Sequence, residues 1–533
     1  MRTVLSFRLT RSARWFGFVG LRILLNALPK LLILPSPMPA HINGSPPASQ
    51  PPQQSQTSWF RTAGVTLFRH IRHTGVGVVC AVAYFDPGNW GVDLQAGSLY
   101  GYRLLFVVLL AGLFAVFLQV LASRLGCVTG LDLASHTRLL LNNRSKHPRL
   151  VRWLALYPIY ALSEIVIIAT DLAELLGSAI ALCMLFPELQ LWHGVLLTAA
   201  DVLLILAMGD PLRGRPVRMF EFLIAAMVLA VLICMAIIIS EVDVNWGDAF
   251  QGYLPSRYIF ASGSLYTSIG IIGATIMPHS LFLGSALATQ DRVACRPVKD
   301  DKLVLNATST MVSEDSTMIS TSPHIYHGIA DVVVCLLGFA VLINSLILIL
   351  ASAVFYYGKH NLGNADPASL FDAYDLIRDL VGKPAATLFA IALLASGQSS
   401  SFIATVAGQA VSEGFIQWRV SPVIRRLLTR LIAIVPSMAV AIAVGREGID
   451  ALLVVSQVIL SIVLPFITFP LLYCTSSKAI MRAGRLEGGD VENGNQWVDY
   501  SNGKVMIAIG VVIWLIIVVA NAYVLVSLAM GTA

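Results

Sequence analysis

Charge is what this sequence lacks most. Asp, Glu, Lys and Arg make up only 12% of its 533 residues, against about 25% in ordinary soluble domains. So little charge cannot clothe a water-exposed surface. With 56% hydrophobic residues and a mean hydropathy of +0.76, this excludes disorder, fibres and most soluble multidomain enzymes. Cysteine is scarce as well. The seven, at 80, 127, 183, 234, 295, 335 and 474, are odd in number and scattered, so they form no disulfide framework and no zinc pattern. No GxSxG, Walker A or HExxH pattern is present, so the chain is not expected to be an enzyme or an ATP-driven pump. Acid is missing from the start altogether: no Asp or Glu precedes Asp86, whereas nine Lys or Arg do.

What is there is apolar sequence in long runs. At about 20 residues per crossing, the length leaves room for ten to twelve spans. Residues 1–73 stand apart as a basic tail, with a Pro-, Ser- and Gln-rich stretch at 35–57 that is expected to be disordered. The apolar piece Trp15–Pro35 carries Arg22 and Lys30. It reads as part of a cytoplasmic tail, as a membrane-surface helix or as a targeting segment. From residue 74 eleven apolar spans follow, near 74–101, 104–124, 153–183, 191–208, 218–240, 263–288, 328–356, 370–410, 427–444, 450–474 and 504–529. Ten-residue alternation is absent, so the spans are helices rather than barrel strands. The division is a tail, a ten-helix core at 74–475, a loop at 476–503 and an eleventh helix at 504–529. A further cytoplasmic loop at 289–327 separates two five-helix blocks, 74–240 and 263–475.

The basic residues orient these spans. With the N-terminus in the cytosol, 30 of the 36 fall on the cytosolic side, and Arg103, Arg257, Lys359, Arg378, Lys383 and Arg446 fall outside. That is a strong positive-inside bias. The sequons at Asn43, Asn143 and Asn306 then face the cytosol and are expected to stay unglycosylated.

Two spans are broken. Span 1 contains Asp86-Pro87-Gly88-Asn89, and span 6 contains Gly273-Ala274-Thr275-Ile276-Met277-Pro278-His279. Proline removes a helical hydrogen bond and glycine relaxes the backbone. An acid at membrane depth is costly and marks a functional site by default. Breaks in the first spans of two five-helix blocks point to an inverted-repeat transporter with its substrate at the midplane. Asp86 offers a carboxylate, Asn89 a neutral oxygen, Met277 a thioether, and unwinding frees carbonyls such as those of Ala83 and Ala274. One soft sulfur among oxygens suits a divalent transition metal better than Ca2+ or Mg2+. Glu164, Asp171 and Glu174, spaced i, i+7 and i+10, lie near one face of span 3. They read as a proton or water route or as a helix–helix network. Arg430 either pairs with these acids or obeys the positive-inside rule.

DPGN at 86–89 and MPH at 277–279 resemble the signatures of the Nramp family (natural resistance-associated macrophage proteins), proton-coupled divalent metal transporters. The resemblance continues through Glu164 and Ala169–Glu174, then Gly397–Ser401 with Ala407-Gly408-Gln409. It ends at Ser456-Gln457-Val458 with Leu464-Pro465-Phe466. It covers roughly 75–475 in the family order. It implies an all-α membrane protein of about eleven helices with the 5+5 inverted-repeat fold. It also implies metal coordination by Asp86, Asn89, Met277 and the carbonyls of Ala83 and Ala274, with Gln457 in some conformations. His279, Glu164, Asp171, Glu174 and Arg430 would belong to the proton network. Ser280, where many relatives have Asn, departs from the pattern, as does the basic tail.

The expected function is therefore inward, proton-coupled transport of Mn2+ and/or Fe2+ by alternating access. The alternatives are a non-transporting sensor on the same scaffold, or carriage of an organic substrate. No resident cofactor is expected, since the metal is cargo. The expected partners are metal ions, protons and the lipid bilayer, with no nucleic acid and no obligate protein. The membrane could be the plasma membrane or an endomembrane, with mitochondrial targeting less favoured.

Overall fold

The computed structural model describes residues 75–142, 147–198, 212, 218–260, 263–290, 321–358, 369–418, 421–484 and 497–530. The tail, the three sequons, most of the loop at 289–327 and the second half of span 4 lie outside the described residues. Nine helices among the described residues are long and apolar enough to cross a membrane. They map onto the eleven expected spans as follows. Span 1 is split, and its second half runs into span 2 as one stretch, Pro87–Thr129. Span 4 is described only over Leu191–Thr198.

The breaks fall where the prolines predict. Span 1 consists of half-helix 1a, Val76–Val82, a 3-10 turn Ala83–Phe85, and half-helix 1b, Pro87–Tyr100. Span 6 consists of half-helix 6a, Ser264–Thr275, and half-helix 6b, Pro278–Leu287, separated by extended Ile276 and Met277. Each proline is the first residue of its second half-helix, a position that has no use for an N–H. Span 2 is Leu105–Thr129, and span 3 is mainly Tyr157–Leu185. Span 5 is Arg218–Glu241, and span 7 runs from Thr321 to Tyr356. Span 9 is Pro422–Ala443, span 10 is Arg446–Ser476 and span 11 is Lys504–Ala529.

Span 8 differs from its expected limits of 370–410. An amphipathic helix, Leu370–Leu380, comes first, and the crossing helix is Lys383–Ile416. The separator is Gly382, whose φ of 122° suits a residue without Cβ. Hydropathy alone joined the two because the first helix is half apolar. The loop before span 11 holds a short antiparallel hairpin, β1 Arg482–Gly484 and β2 Trp497–Asp499. Arg124 of span 2 anchors the residues just after β2, donating to the Tyr500 carbonyl at 2.7 Å and to Asn502 Oδ1 at 3.0 Å.

Burial separates a centre from a rim. The apolar core of span 6 is 89% buried, while that of span 11 is 28% buried. Phe222, Val435, Ile442 and Val519 are exposed apolar side chains on spans 5, 9 and 11, as lipid-facing positions should be. Spans 1, 3, 6, 8 and 10 pack on one another. Small residues allow the close approach. A Cβ on Gly177 of span 3 would come 2.1 Å from Pro87 Cβ, and one on Gly397 of span 8 would come 2.4 Å from Ser178 Oγ.

Candidate metal site

The site begins with a covalent fact. In an α-helix the carbonyl of residue i accepts from the N–H of residue i+4. Four residues after Ala83 stands Pro87, and four after Ala274 stands Pro278. Neither proline has an N–H, so neither alanine carbonyl has its α-helical donor. Both alanines are buried. Of the other carbonyls in the first break, Phe85 accepts from Trp90 Nε1 at 3.1 Å and Ser396 Oγ at 2.6 Å, and Tyr84 accepts from Asn344 Nδ2 at 2.7 Å. These bonds tie the break to spans 7 and 8.

Asp86 is the N-cap of 1b. Its Oδ1 accepts from the Asn89 backbone N–H at 2.9 Å and from Asn89 Nδ2 at 2.7 Å. Its Oδ2 is buried and has no hydrogen-bond partner. Met277, fully buried, is the N-cap of 6b and has an extended backbone. Gln457 of span 10 lies against Gly88, where an added Cβ would come 1.8 Å from Gln457 Nε2. Its Oε1 is also buried without a partner. Half-helices 1a and 6a end at the site with carbonyls, which are the negative ends of their dipoles. With one carboxylate, this arrangement is a candidate cation site. Among the described residues no cluster of three His, Cys, Asp or Glu side chains exists. The chemistry is therefore a mixed set of one carboxylate, neutral oxygens and a thioether, the kind of set a borderline-soft divalent ion accepts.

The polar residues expected beside it divide between two surroundings. His279, on the first turn of 6b, is buried, and its Nδ1 lies 3.3 Å from Thr170 Oγ1 of span 3, while Nε2 has no partner. The span-3 acids each meet spans 8 or 9. Glu174 Oε1 accepts from Ser400 Oγ at 2.7 Å, and Glu164 Oε2 pairs with Arg425 at 2.7 Å. Asp171 pairs with Arg426 and, at 3.2 Å, with Arg430. Arg430 thus takes the pairing alternative. Both Arg430 and Arg426 also donate to Ser401 Oγ.

Sequence reasoning missed four participants. Arg425 and Arg426 looked like positive-inside residues. Gln119 of span 2 accepts from Tyr84 Oη at 2.9 Å and from Ser280 Oγ at 3.2 Å, joining spans 1, 2 and 6. Asp93 of span 1b is buried, and its Oδ2 is unpartnered. Its signal was present: it lies seven residues from Asp86, two helical turns along the same face.

Residues 77–527 match the family model described as natural resistance-associated macrophage protein-like. The chain belongs to the Nramp family. Relatives agree over nearly its whole length. A protein of Schizosaccharomyces pombe named as a manganese transporter is 43% identical, covering 90% of each chain. One of Saccharomyces cerevisiae named as an iron transporter is 37% identical, covering 87% of this chain and 98% of its own. Among solved structures, a crystal structure of a mutant Eremococcus coleocola manganese transporter superposes with a TM-score of 0.68 at 31% identity, covering 88% of this chain and 87% of that one. The inverted-repeat fold expected from the two breaks is the Nramp fold. These relatives are named as transporters, not as enzymes, and the chain is a multi-pass membrane protein.

Proposed function

We propose that this Nramp protein is a proton-coupled secondary transporter that moves divalent transition-metal ions, Mn2+ or Fe2+, into the cytosol by alternating access. The observation that carries this reading is the pair of proline-broken half-helices. They leave two alanine carbonyls without their α-helical donors around a buried, half-satisfied Asp86. The ion would be held by Asp86 Oδ2, the Asn89 side-chain oxygen, Met277 Sδ and the carbonyls of Ala83 and Ala274, with Gln457 joining in some conformations. Metal binding favours the ionised carboxylate and so displaces a proton. His279 and the span-3 acids Glu164, Asp171 and Glu174, with Arg430, would form the route by which protons leave. The distribution of basic residues supports a cytosolic N-terminus. Rocking one helix bundle against the other would expose the midplane to each side in turn.

The test is reconstitution into liposomes with a panel of divalent metals at two external pH values. Mn2+ and Fe2+ uptake that accelerates at acidic external pH is expected. Absence of uptake of every metal in a correctly folded preparation would overturn the reading, and pH-independent flux would remove the proton from it.

A further inference from the structure

Span 3 is longer than a bilayer needs. It belongs to one continuous helical stretch, Pro148–Leu185, of 38 residues, which at 1.5 Å per residue is about 57 Å. The hydrocarbon layer is about 30 Å thick, so several of its turns stand at headgroup depth. The sequence marks the cytosolic end. No Asp or Glu occurs between Asp132 and Glu164, whereas Arg138, Arg144, Lys146, Arg149 and Arg152 do. Trp153 and Tyr157 follow, with their rings 5.2 Å apart. Such rings, apolar in body and polar at one edge, favour the headgroup level.

The exposed residues of this end form one stripe. Leu150, Trp153, Leu154, Tyr157 and Ile165 are all exposed, Trp153 and Leu154 each at 71%. Steps of three, four and eight keep them on one helix face, which is open to acyl chains. Arg149, Arg152 and Trp153 stand at i, i+3 and i+4, so the two arginines border the stripe. Other arginines on the cytosolic side are committed to protein partners. Arg124 holds the residues after β2, Arg138 Nε donates to the Gly414 carbonyl at 2.9 Å, and Arg425 pairs with Glu164. The side chains of Arg149 and Arg152 form no ion pair or hydrogen bond among the described residues. Arg149 is exposed, and Arg152 is half-buried with its Nε unpartnered. Two unpaired positive charges at the edge of a lipid-facing stripe complement a negative charge carried by the lipid itself.

We propose that Arg149 and Arg152, with Trp153, form a binding site for the headgroup phosphate of an anionic phospholipid of the cytosolic leaflet. The planar guanidinium fork matches phosphate oxygens. The Trp153 ring packs at the glycerol level, and the acyl chains lie along Leu154, Tyr157 and Ile165. The occupant is a lipid rather than free phosphate, because the basic pair is continuous with the exposed apolar stripe. The site goes beyond the metal-transport reading and takes from it only the cytosolic orientation. It stands at the foot of the helix that carries Glu164, Asp171 and Glu174.

The test uses the full chain purified in detergent, with retention of phosphatidylserine and phosphatidylcholine compared by native mass spectrometry. The wild type is expected to retain phosphatidylserine in preference. Arg149→Gln and Arg152→Gln should each weaken phosphatidylserine binding about fivefold. The double variant should lose the preference, and retention of phosphatidylcholine should not change. Arg149 is exposed, so Arg149→Gln decides the matter if Arg152→Gln does not fold. Lys478→Gln removes a charge just after span 10 that is 83% exposed, and it should bind as wild type. Equal retention of the two lipids by the wild type would overturn the proposal. So would an undiminished preference in Arg149→Gln, or an equal loss in Lys478→Gln, which marks net charge alone. Full displacement of phosphatidylserine by inorganic phosphate would make free phosphate the ligand and overturn the lipid assignment. Lipid retention is read without metal flux. Failure of the wild type to take up metal therefore sinks the transport reading alone, and absence of a lipid preference sinks this site alone.

Discussion

One oxygen of Asp86, Oδ1, takes both nitrogens of Asn89, the backbone N–H at 2.9 Å and the side-chain amide at 2.7 Å. This fixes the carboxylate at the start of half-helix 1b and leaves Oδ2 without a hydrogen-bond partner. Because the Asn89 nitrogen is engaged by Asp86, its amide oxygen is the atom left for a cation. The same pair caps a helix and leaves Asp86 Oδ2 and the Asn89 amide oxygen for the proposed ligand set.

Asp86→Asn tests that division of labour. Asn caps helices as well as Asp, so 1b should persist and thermal unfolding in detergent should shift by only a few degrees. Metal uptake should fall by more than the roughly 10–100-fold cost of losing an outer-shell partner, because here a ligating charge is lost. Uptake at the wild-type rate by a folded variant would remove Asp86 from the site.

Met277 is fully buried, so packing and ligation must be separated. Met277→Leu conserves volume and should cost less than about 1.5 kcal/mol of stability. Met277→Ala should cost about 2–5 kcal/mol through the cavity it leaves. Both remove the sulfur, so both should raise competition by Ca2+ and Mg2+ relative to Mn2+ in uptake assays. Unchanged selectivity in Met277→Leu would refute the thioether argument.

The arginine network predicts unequal stabilities. Asp171 and its partners Arg426 and Arg430 are fully buried, whereas the Glu164 side chain is 21% exposed beside Arg425. Asp171→Ala removes the carboxylate that two buried guanidiniums reach, and about 3–5 kcal/mol of destabilisation is expected. Arg425→Ala should cost less than Asp171→Ala but more than the roughly 1 kcal/mol of a surface pair, since Arg425 is buried and Glu164 meets water only in part. Denaturation of the two purified variants compares them directly.

Gly177 tests the packing that holds the first break. Its added Cβ would sit 2.1 Å from Pro87 Cβ, whereas one on Gly338 of span 7 would meet nothing within 4 Å. Gly177→Ala should cost about 1–3 kcal/mol as an overpacked contact and should impair uptake by displacing Asp86. Gly338→Ala should leave both unchanged. Equal behaviour of the two variants in unfolding and uptake measurements would show that the Gly177–Pro87 contact does not hold the break.

Much of the fold was legible because its signals are local. Hydropathy marks a crossing from about twenty neighbouring residues, and a proline ends a hydrogen-bond ladder wherever it stands. The boundary of span 8 was not legible, because a half-apolar amphipathic helix and a membrane helix raise mean hydropathy alike. Only the turn at Gly382 divides them. Of the candidate site, Asp86, Asn89 and Met277 announced themselves as polar or soft groups at proline breaks. Gln119 did not, since a single amide in an apolar run gives no sign of what it will meet.

The sequence by itself determined the two breaks and the carbonyls they release. Pro87 and Pro278 stand four residues after Ala83 and Ala274, and the missing N–H is a property of the residue rather than of its surroundings. Tertiary structure alone decided which polar groups meet. Glu164 reaches Arg425 across 261 positions, Asp171 reaches Arg426 across 255, and Ser280 reaches Gln119 across 161. No periodicity spans such separations. Those pairings depend on which helix faces pack together, and small residues such as Gly177 and Gly397 let those faces approach.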